Sequence, residues 1–318
     1  MVSVPPLRIV YFGTPAFAVP TLRSLIGSRH SVVGLVSQPD RPKGRGHQVV
    51  TTPTKELALQ HDIPVLQPTR LREPAFLQQI ADLRADLGVV AAYGRILPDS
   101  LLQIPRLGMI NVHASLLPKY RGAAPIQRAV INGETDTGVT IMRVVQELDA
   151  GPMLATVTRA IAGDATSVDV ERDLAEAGAR LLVEVVDRMA LGPVPETPQD
   201  DARATFAPKL AKTESAIDWR LPGARIHNLV RGLQPWPMAS TIIEETRCLI
   251  HRTAVAPDPC DSGPGAVLAA DGDAIVVAAG DDTALRILEL QPEGKRAMTA
   301  REFLSGRRIA PATVLRSA

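Results

Sequence analysis

Gly108-Met-Ile-Asn-Val-His-Ala114, followed at once by Ser115-Leu-Leu-Pro118, is an apolar run with two polar side chains set into it. Its composition predicts a strand over 108–114, closed by a turn at the proline. Side chains two apart on a strand lie on the same face, so Asn111 and His113 stand next to each other. Together they offer one substrate atom an amide donor and an imidazole that donates or carries a proton. The Leu-Leu-Pro turn and Gly122-Ala-Ala124 remove bulk beside them. An acid, Asp149, follows in Glu147-Leu-Asp-Ala-Gly151.

Working outward, short apolar runs over 7–12, 31–36, 86–92 and 139–145 read as further strands. Helical spacing appears over 17–26, 56–60 and 124–131, and most clearly over 167–190, where Ser167 is the expected cap. Alternating strands and helices predict an α/β fold: a Rossmann-like, mostly parallel sheet with helices on both faces. Such sheets bind ligands at the carboxyl ends of their strands, the end at which Asn111 and His113 lie.

Residues 192–207 are rich in proline and polar side chains and lack periodicity, a linker signal. Beyond them, 265–270, 274–279 and 285–290 read as strands, the first two joined by an Asp271-Gly272 turn, and 299–305 as a short helix. Pattern alone gives a small antiparallel β-domain. The expected organisation is a domain over 1–191, a linker over 192–208 and a second domain over 209–318.

With 318 residues the chain is long enough for two domains with separate cores. A net charge of +1 creates no global field for nucleic acid, and from Lys209 onward bases and acids nearly balance. Two cysteines, Cys248 and Cys260, make no disulfide framework and lack metal-ligand spacing. No signal peptide or bilayer-spanning run is evident, and a reduced, cytoplasmic location fits. A monomer is the default expectation, and no metal site is expected.

Gly13-Thr-Pro-Ala-Phe17 follows the first strand where a dinucleotide fold would carry Gly-x-Gly-x-x-Gly. Only its first glycine is present and Pro15 would spoil a nest of free amides, so NAD is disfavoured. After the second strand comes Gln38-Pro-Asp-Arg-Pro-Lys-Gly-Arg-Gly-His47. Three basic residues and two glycines in a polar segment read as a mobile loop offering cations to phosphates.

Asn111-Val-His113, Ser115 to Pro118, Arg121-Gly-Ala-Ala-Pro-Ile-Gln127, Thr137-Gly-Val-Thr-Ile141 and Leu148-Asp-Ala-Gly151 occur in order with sensible separations. Together they resemble the formyltransferases that use 10-formyltetrahydrofolate, over about residues 7–303, and within them the branch acting on initiator methionyl-tRNA. The resemblance implies that Asn111 and His113 hold the formyl oxygen and that Asp149 orients and charge-balances His113. It implies a folate pocket from Tyr93, Gly94, Arg95, Ile96 and Leu97, largely through backbone, bordered by Ser115, Leu116, Leu117 and Pro118. It also implies tRNA contact by Arg41, Lys43 and Arg45, with Arg45 matching the family's important arginine. An OB-like β-barrel at the C-terminus would add contacts from Lys209, Arg247 and Arg307, within a wider basic set that includes Arg231. Trp236, in Gln234-Pro-Trp-Pro-Met238, is expected to pack into a core or domain interface.

Two other activities suit the same three polar residues: formyl transfer to a small amine such as an amino sugar nucleotide, and hydrolysis of 10-formyltetrahydrofolate. The basic loop and β-domain argue against a small amine.

Overall fold

A computed structural model describes residues 5–43, 48–256 and 260–318. The chain divides into two compact units. One comprises Met1–Pro125, Thr137–Arg159 and Glu171–Ala207, and the other Ile126–Asp136, Ala160–Val170 and Pro208–Ala318.

The first unit is built on a seven-stranded sheet. Its order is Met153–Ala160, Asp136–Arg143, Met109–His113, Leu87–Ala91, Arg8–Gly13, Ser31–Val36 and Val65–Leu66. The pairs from Val65–Leu66 across to Met109–His113 are all parallel, and Asp136–Arg143 runs antiparallel to Met109–His113. Strand order reverses between Arg8–Gly13 and Leu87–Ala91, which opens a crevice at their carboxyl ends. The expected mostly parallel sheet is present. Val65–Leu66 and Met153–Ala160 leave little mark in the sequence, one because it is only two residues long and the other because threonines and an arginine interrupt its apolar residues.

Helices cover both faces. On one, Tyr11 donates its hydroxyl to the Ala18 carbonyl at 2.7 Å, at the start of the helix Ala18–Ile26, and Gly178 of the helix Ser167–Leu191 lies against Val112 and Val139. On the other, Val10, Phe12, Val90 and Met109 pack with Phe76 and Ile80 of Pro74–Asp82 and with Leu101 of Asp99–Leu102. Asn111 is paired with Val90 and continues the row of Met109, so it and His113 lie on this second face. The row is apolar until the last positions of the strand and then turns polar.

The expected cap of the long helix shifts by one residue. Thr166 holds that place, exchanging bonds with Asp169: its Oγ1 donates to Asp169 Oδ2 at 2.6 Å and accepts from the Asp169 amide at 3.3 Å. The Ser167 hydroxyl instead donates to the Gly232 carbonyl at 2.8 Å.

The second unit carries a seven-stranded sheet whose main path runs Val267–Asp271, Ala274–Ala278, Ala284–Pro292, Thr246–Val255, Ala239–Ile243 and Arg316–Ser317. All of these pairs are antiparallel. The terminal segment closes it. Ala312 N donates to Val267 O at 3.0 Å and Leu315 N to Gly265 O at 2.8 Å, before Arg316–Ser317 pairs with the opposite edge. With both edges engaged by one stretch of chain, the sheet curls into the expected barrel-like form. The helix Gly223–Gly232 packs on Thr246–Val255 and Ala284–Pro292 and buries Ile226 and Val230. The Asp271-Gly272 turn forms as expected, with Gly272 at φ +59.

Candidate active site

Asn111, His113 and Asp149 come together. The Asn111 amide nitrogen lies 3.5 Å from Asp149 Oδ1 and His113 Nδ1 lies 3.6 Å from Asp149 Oδ2. His113 is 5% exposed and the Asp149 side chain 13% exposed, so the cluster is largely withdrawn from water. His113 Nε2 stands 3.0 Å from the Tyr120 carbonyl. A carbonyl only accepts, so Nε2 carries the hydrogen there and Nδ1 is the nitrogen turned towards the acid. The Asn111 contact is long for a hydrogen bond, which leaves its N–H groups available to a substrate oxygen.

Asp149 reaches this position from a loop with φ +50, the left-handed region that a non-glycine residue enters only when its surroundings hold it there. Several groups hold it. The Gly122 amide donates to Asp149 Oδ2 at 2.9 Å. Gln199 donates from its amide nitrogen to the carbonyls of Asp149 and Gly151, each at 2.8 Å. Its oxygen accepts from Arg121 Nε at 3.0 Å and Nη2 at 2.8 Å, and that guanidinium also meets Asp201 at 2.7 Å. Arg121 is 6% exposed. Arg121–Gly122 pairs in parallel with Phe206–Ala207, and a side chain at Gly122 would meet the Ala207 carbonyl at 2.8 Å. Residues 199–207, expected as part of a linker, are thus built into the loop that carries the acid. Nothing in their sequence gave this away, because the bonds join Gln199 to residues about fifty positions earlier.

Ser115 to Pro118 form a turn rather than an open wall. Ser115 is fully buried and its hydroxyl donates to the Lys119 carbonyl at 2.6 Å. Thr140 Oγ1 donates to the Ser115 carbonyl at 2.8 Å and accepts from the Leu117 amide at 3.2 Å. Leu117 is buried, while Leu116 and Pro118 are partly exposed. This turn and Thr140 set the direction in which the chain leaves His113.

Tyr93 to Leu97 divide in two. Tyr93 and Leu97 belong to the core with Phe12, whose ring meets Tyr93 edge-on at 5.6 Å. Gly94, Arg95 and Ile96 are exposed, Ile96 at 77%. Arg95, Ile96 and Leu97 line an open cleft of about 940 Å³ with Arg70, Leu71 and Gln146. That volume falls within the roughly 300–1,000 Å³ of small-molecule sites. Gln146 belongs to the loop that leads to Asp149, but the three polar site residues themselves do not line the cleft. Among the described residues, Tyr93 Oη is the one buried side-chain polar atom without a hydrogen-bond partner. Burial raises its ionisation above the usual phenol value, opposed in part by the Arg95 guanidinium. The wall of the cleft mixes charged side chains, Arg70, Arg95 and Asp99 among them, with Leu71, Ile96 and Leu97, and the backbone turns at Gly94 (φ +78) just before Arg95.

The basic candidates fare unevenly. Arg41 is exposed and its Nη2 donates to Gln38 Oε1 at 3.3 Å, while Gln38 Nε2 donates to the Tyr93 carbonyl at 2.8 Å. Arg41–Lys43 pairs with Gln48–Val50 as two short antiparallel strands, so the segment expected as a mobile loop has hairpin ends. Arg45 lies outside the described residues. Lys209 is exposed. Arg247 turns to Ser240 Oγ at 3.1 Å and Ser215 Oγ at 3.4 Å. Arg307 sits 5.4 Å over the Phe303 ring with Glu244 at 3.9 Å. Arg231 is not a surface cation: it is 6% exposed and donates to the Ala165 carbonyl at 2.9 Å. Trp236, expected to be packed, is instead 52% exposed, while its near neighbour in sequence Leu233 is buried. No cluster of His, Cys, Asp and Glu suited to a metal ion exists among the described residues.

The formyl transferase family model matches residues 7–186, and that of the formyl transferase C-terminal domain matches 209–308. A methionyl-tRNA formyltransferase of Halalkalibacterium halodurans is 46% identical over 300 residues, covering 94% of this chain and 95% of its own. One from Pelobacter propionicus is 47% identical over 307 residues, covering 96% of this chain and 95% of its own. Among solved structures, the sugar 3N-formyl transferase WlaRD superposes with a TM-score of 0.68 at 15% identity, over 92% of this chain and 100% of that one. That likeness speaks for the fold alone.

Proposed function

The chain belongs to the formyl transferase family, and from that membership and the geometry at Asp149 we propose how it transfers a formyl group from 10-formyltetrahydrofolate to the amino group of methionyl-tRNA. The observation that carries this reading is one carboxylate, held by the Gly122 amide and facing both Asn111 and His113 at the carboxyl end of a central strand.

The folate supplies an electrophilic formyl carbon. The work left to the protein is to hold negative charge on the formyl oxygen as the amino nitrogen adds, and to let the proton that nitrogen loses pass to the folate nitrogen as the bond from the formyl carbon to the folate breaks and tetrahydrofolate leaves. Asn111 donates from Nδ2 to that oxygen. His113, its Nε2 committed to Tyr120, presents Nδ1 as the second donor, and Asp149 balances the charge this places on the ring. Exclusion of water around His113 strengthens each contact. Gly94, Arg95, Ile96 and Leu97 bind the pterin through backbone and cleft wall, with Ser115 to Pro118 at its border.

Residues 1–191 carry the chemistry and 209–318 bind tRNA. The segment 192–208 both links them and, through Gln199, braces the acid. Arg41, Lys43 and Arg45 meet the acceptor end, and Lys209, Arg247 and Arg307 add phosphate contacts. The protein acts in the cytoplasm as a monomer. No described helix is long and apolar enough to cross a membrane.

Incubation with 10-formyltetrahydrofolate and methionyl-tRNA, free methionine or an amino sugar nucleotide tests the reading. Formyl transfer is expected to methionyl-tRNA, and product on the small amine alone overturns it.

A further inference from the structure

Gln199 makes four contacts, and chemistry fixes which end makes which. A guanidinium only donates and a carbonyl only accepts, so the amide oxygen must face Arg121 and the nitrogen must face Asp149 O and Gly151 O. The two carbonyls flank Ala150 and bracket the tight part of the loop. At Gly151 a side chain would meet the Arg143 carbonyl at 2.0 Å, so the backbone there has no slack. Asp149 itself is in the left-handed region at φ +50. The distances from its carboxylate to Asn111 and His113 are already long, at 3.5 and 3.6 Å, so a small drift of the loop breaks both contacts.

We propose that Gln199 is a positioning residue for the formyl transfer: its amide nitrogen clamps the Asp149 backbone, and Arg121 anchors the clamp. Gln199 does not touch substrate. It acts through Asp149, and the inference rests on the catalytic reading of Asp149 given above.

Gln199→Glu separates this role from a general structural one. The carboxylate keeps its acceptor for Arg121, and gains charge there, but has no hydrogen for the two carbonyls. Gln199→Met removes both ends at nearly constant volume. Both variants are expected to lower kcat about 10- to 100-fold, the scale of a misplacement of about 1 Å at a reacting centre. KM for folate and for methionyl-tRNA is expected to stay within about threefold, and Tm of the Glu variant within a few degrees. In an Asp149→Asn background, adding Gln199→Glu is expected to cost nothing more, since residues that act as one unit are not additive.

A Gln199→Glu enzyme with wild-type kcat overturns the clamp. So does an undiminished further loss in the Asp149→Asn background. If Gln199→Glu does not fold, Gln199→Met is read in the same two backgrounds. Full activity of Asp149→Asn alone sinks the catalytic reading instead, so the two failures are told apart.

Discussion

His113 turns Nδ1 to Asp149 Oδ2 at 3.6 Å and gives Nε2 to the Tyr120 carbonyl at 3.0 Å. One nitrogen is spent on holding the ring and the other is left to work. A ring pinned from one side keeps its plane when substrate arrives, and Tyr120 holds this carbonyl in place from a backbone at φ +62.

His113→Ala and Asp149→Asn are each expected to lower kcat by about 10²- to 10⁴-fold, the range of a positioned proton carrier. Far-ultraviolet circular dichroism and Tm should change little, because neither side chain fills the apolar core. Near-wild-type rates in either variant remove the assigned roles.

Gly122→Ala is expected to damage stability and rate together. Gly122 sits at φ +123, and an added methyl would meet the Ala207 carbonyl at 2.8 Å. The strain costs about 1–3 kcal/mol. The same shift displaces the amide that holds Asp149 Oδ2. Gly263→Ala, with open space around the added methyl, is the control and should leave Tm and kcat/KM unchanged.

Arg45→Ala is expected to raise KM for methionyl-tRNA and leave folate affinity intact. If the arginine meets a phosphate, the salt dependence of log KM for tRNA flattens by roughly 0.7–0.9. Equal losses for both substrates would give the residue a structural role.

Acid should erode one ion pair of the second unit selectively. Arg128 Nη1 and Nη2 lie 2.5 and 3.0 Å from the two Glu214 oxygens, and this bonding holds the Glu214 carboxyl below its usual range. A lowered folded-state pKa gives stability that is present above the unfolded value, about 4.3. That stability is lost as pH falls through the folded value. Arg128→Met is therefore expected to cost about 1 kcal/mol at pH 7, and the gap in urea midpoints from wild type should close as pH falls below 4. A gap unchanged at low pH would mean that packing of the arginine, not the pair, is what counts.

Burial pushes the Cys248 thiol up to about 11, against the opposing charge of Arg307. At pH 8 its thiolate fraction is about one in a thousand. Iodoacetamide is expected to label Cys260, which is partly exposed, and to spare Cys248 until the chain unfolds. Prompt double labelling of the native protein would contradict this.

The central strand was readable because burial on two faces demands an unbroken apolar run. Asn111 and His113 stood out as the exceptions in that run. Met153–Ala160 and Thr246–Val255 were less legible: threonines and arginines interrupt their apolar residues, so neither shows an unbroken apolar run. Arg231 misled for a related reason. A cation in sequence reads as surface, yet this one is buried because carbonyls of 162 and 165 converge on its guanidinium.

Local order in the chain determined which residue types were offered: an amide and an imidazole two apart, an acid two residues before a glycine, a polar stretch with three basic residues and two glycines. Those are facts of spacing along one strand or one turn, where period alone decides direction. Which groups would meet was decided only by tertiary folding. Asp149 lies near Asn111 because an antiparallel strand returns the chain beside it, and Gln199 reaches the acid because residues 199–207 run back alongside Arg121–Gly122. Hydrogen bonds between residues that far apart leave no periodic trace, since each depends on a loop closed elsewhere in the molecule.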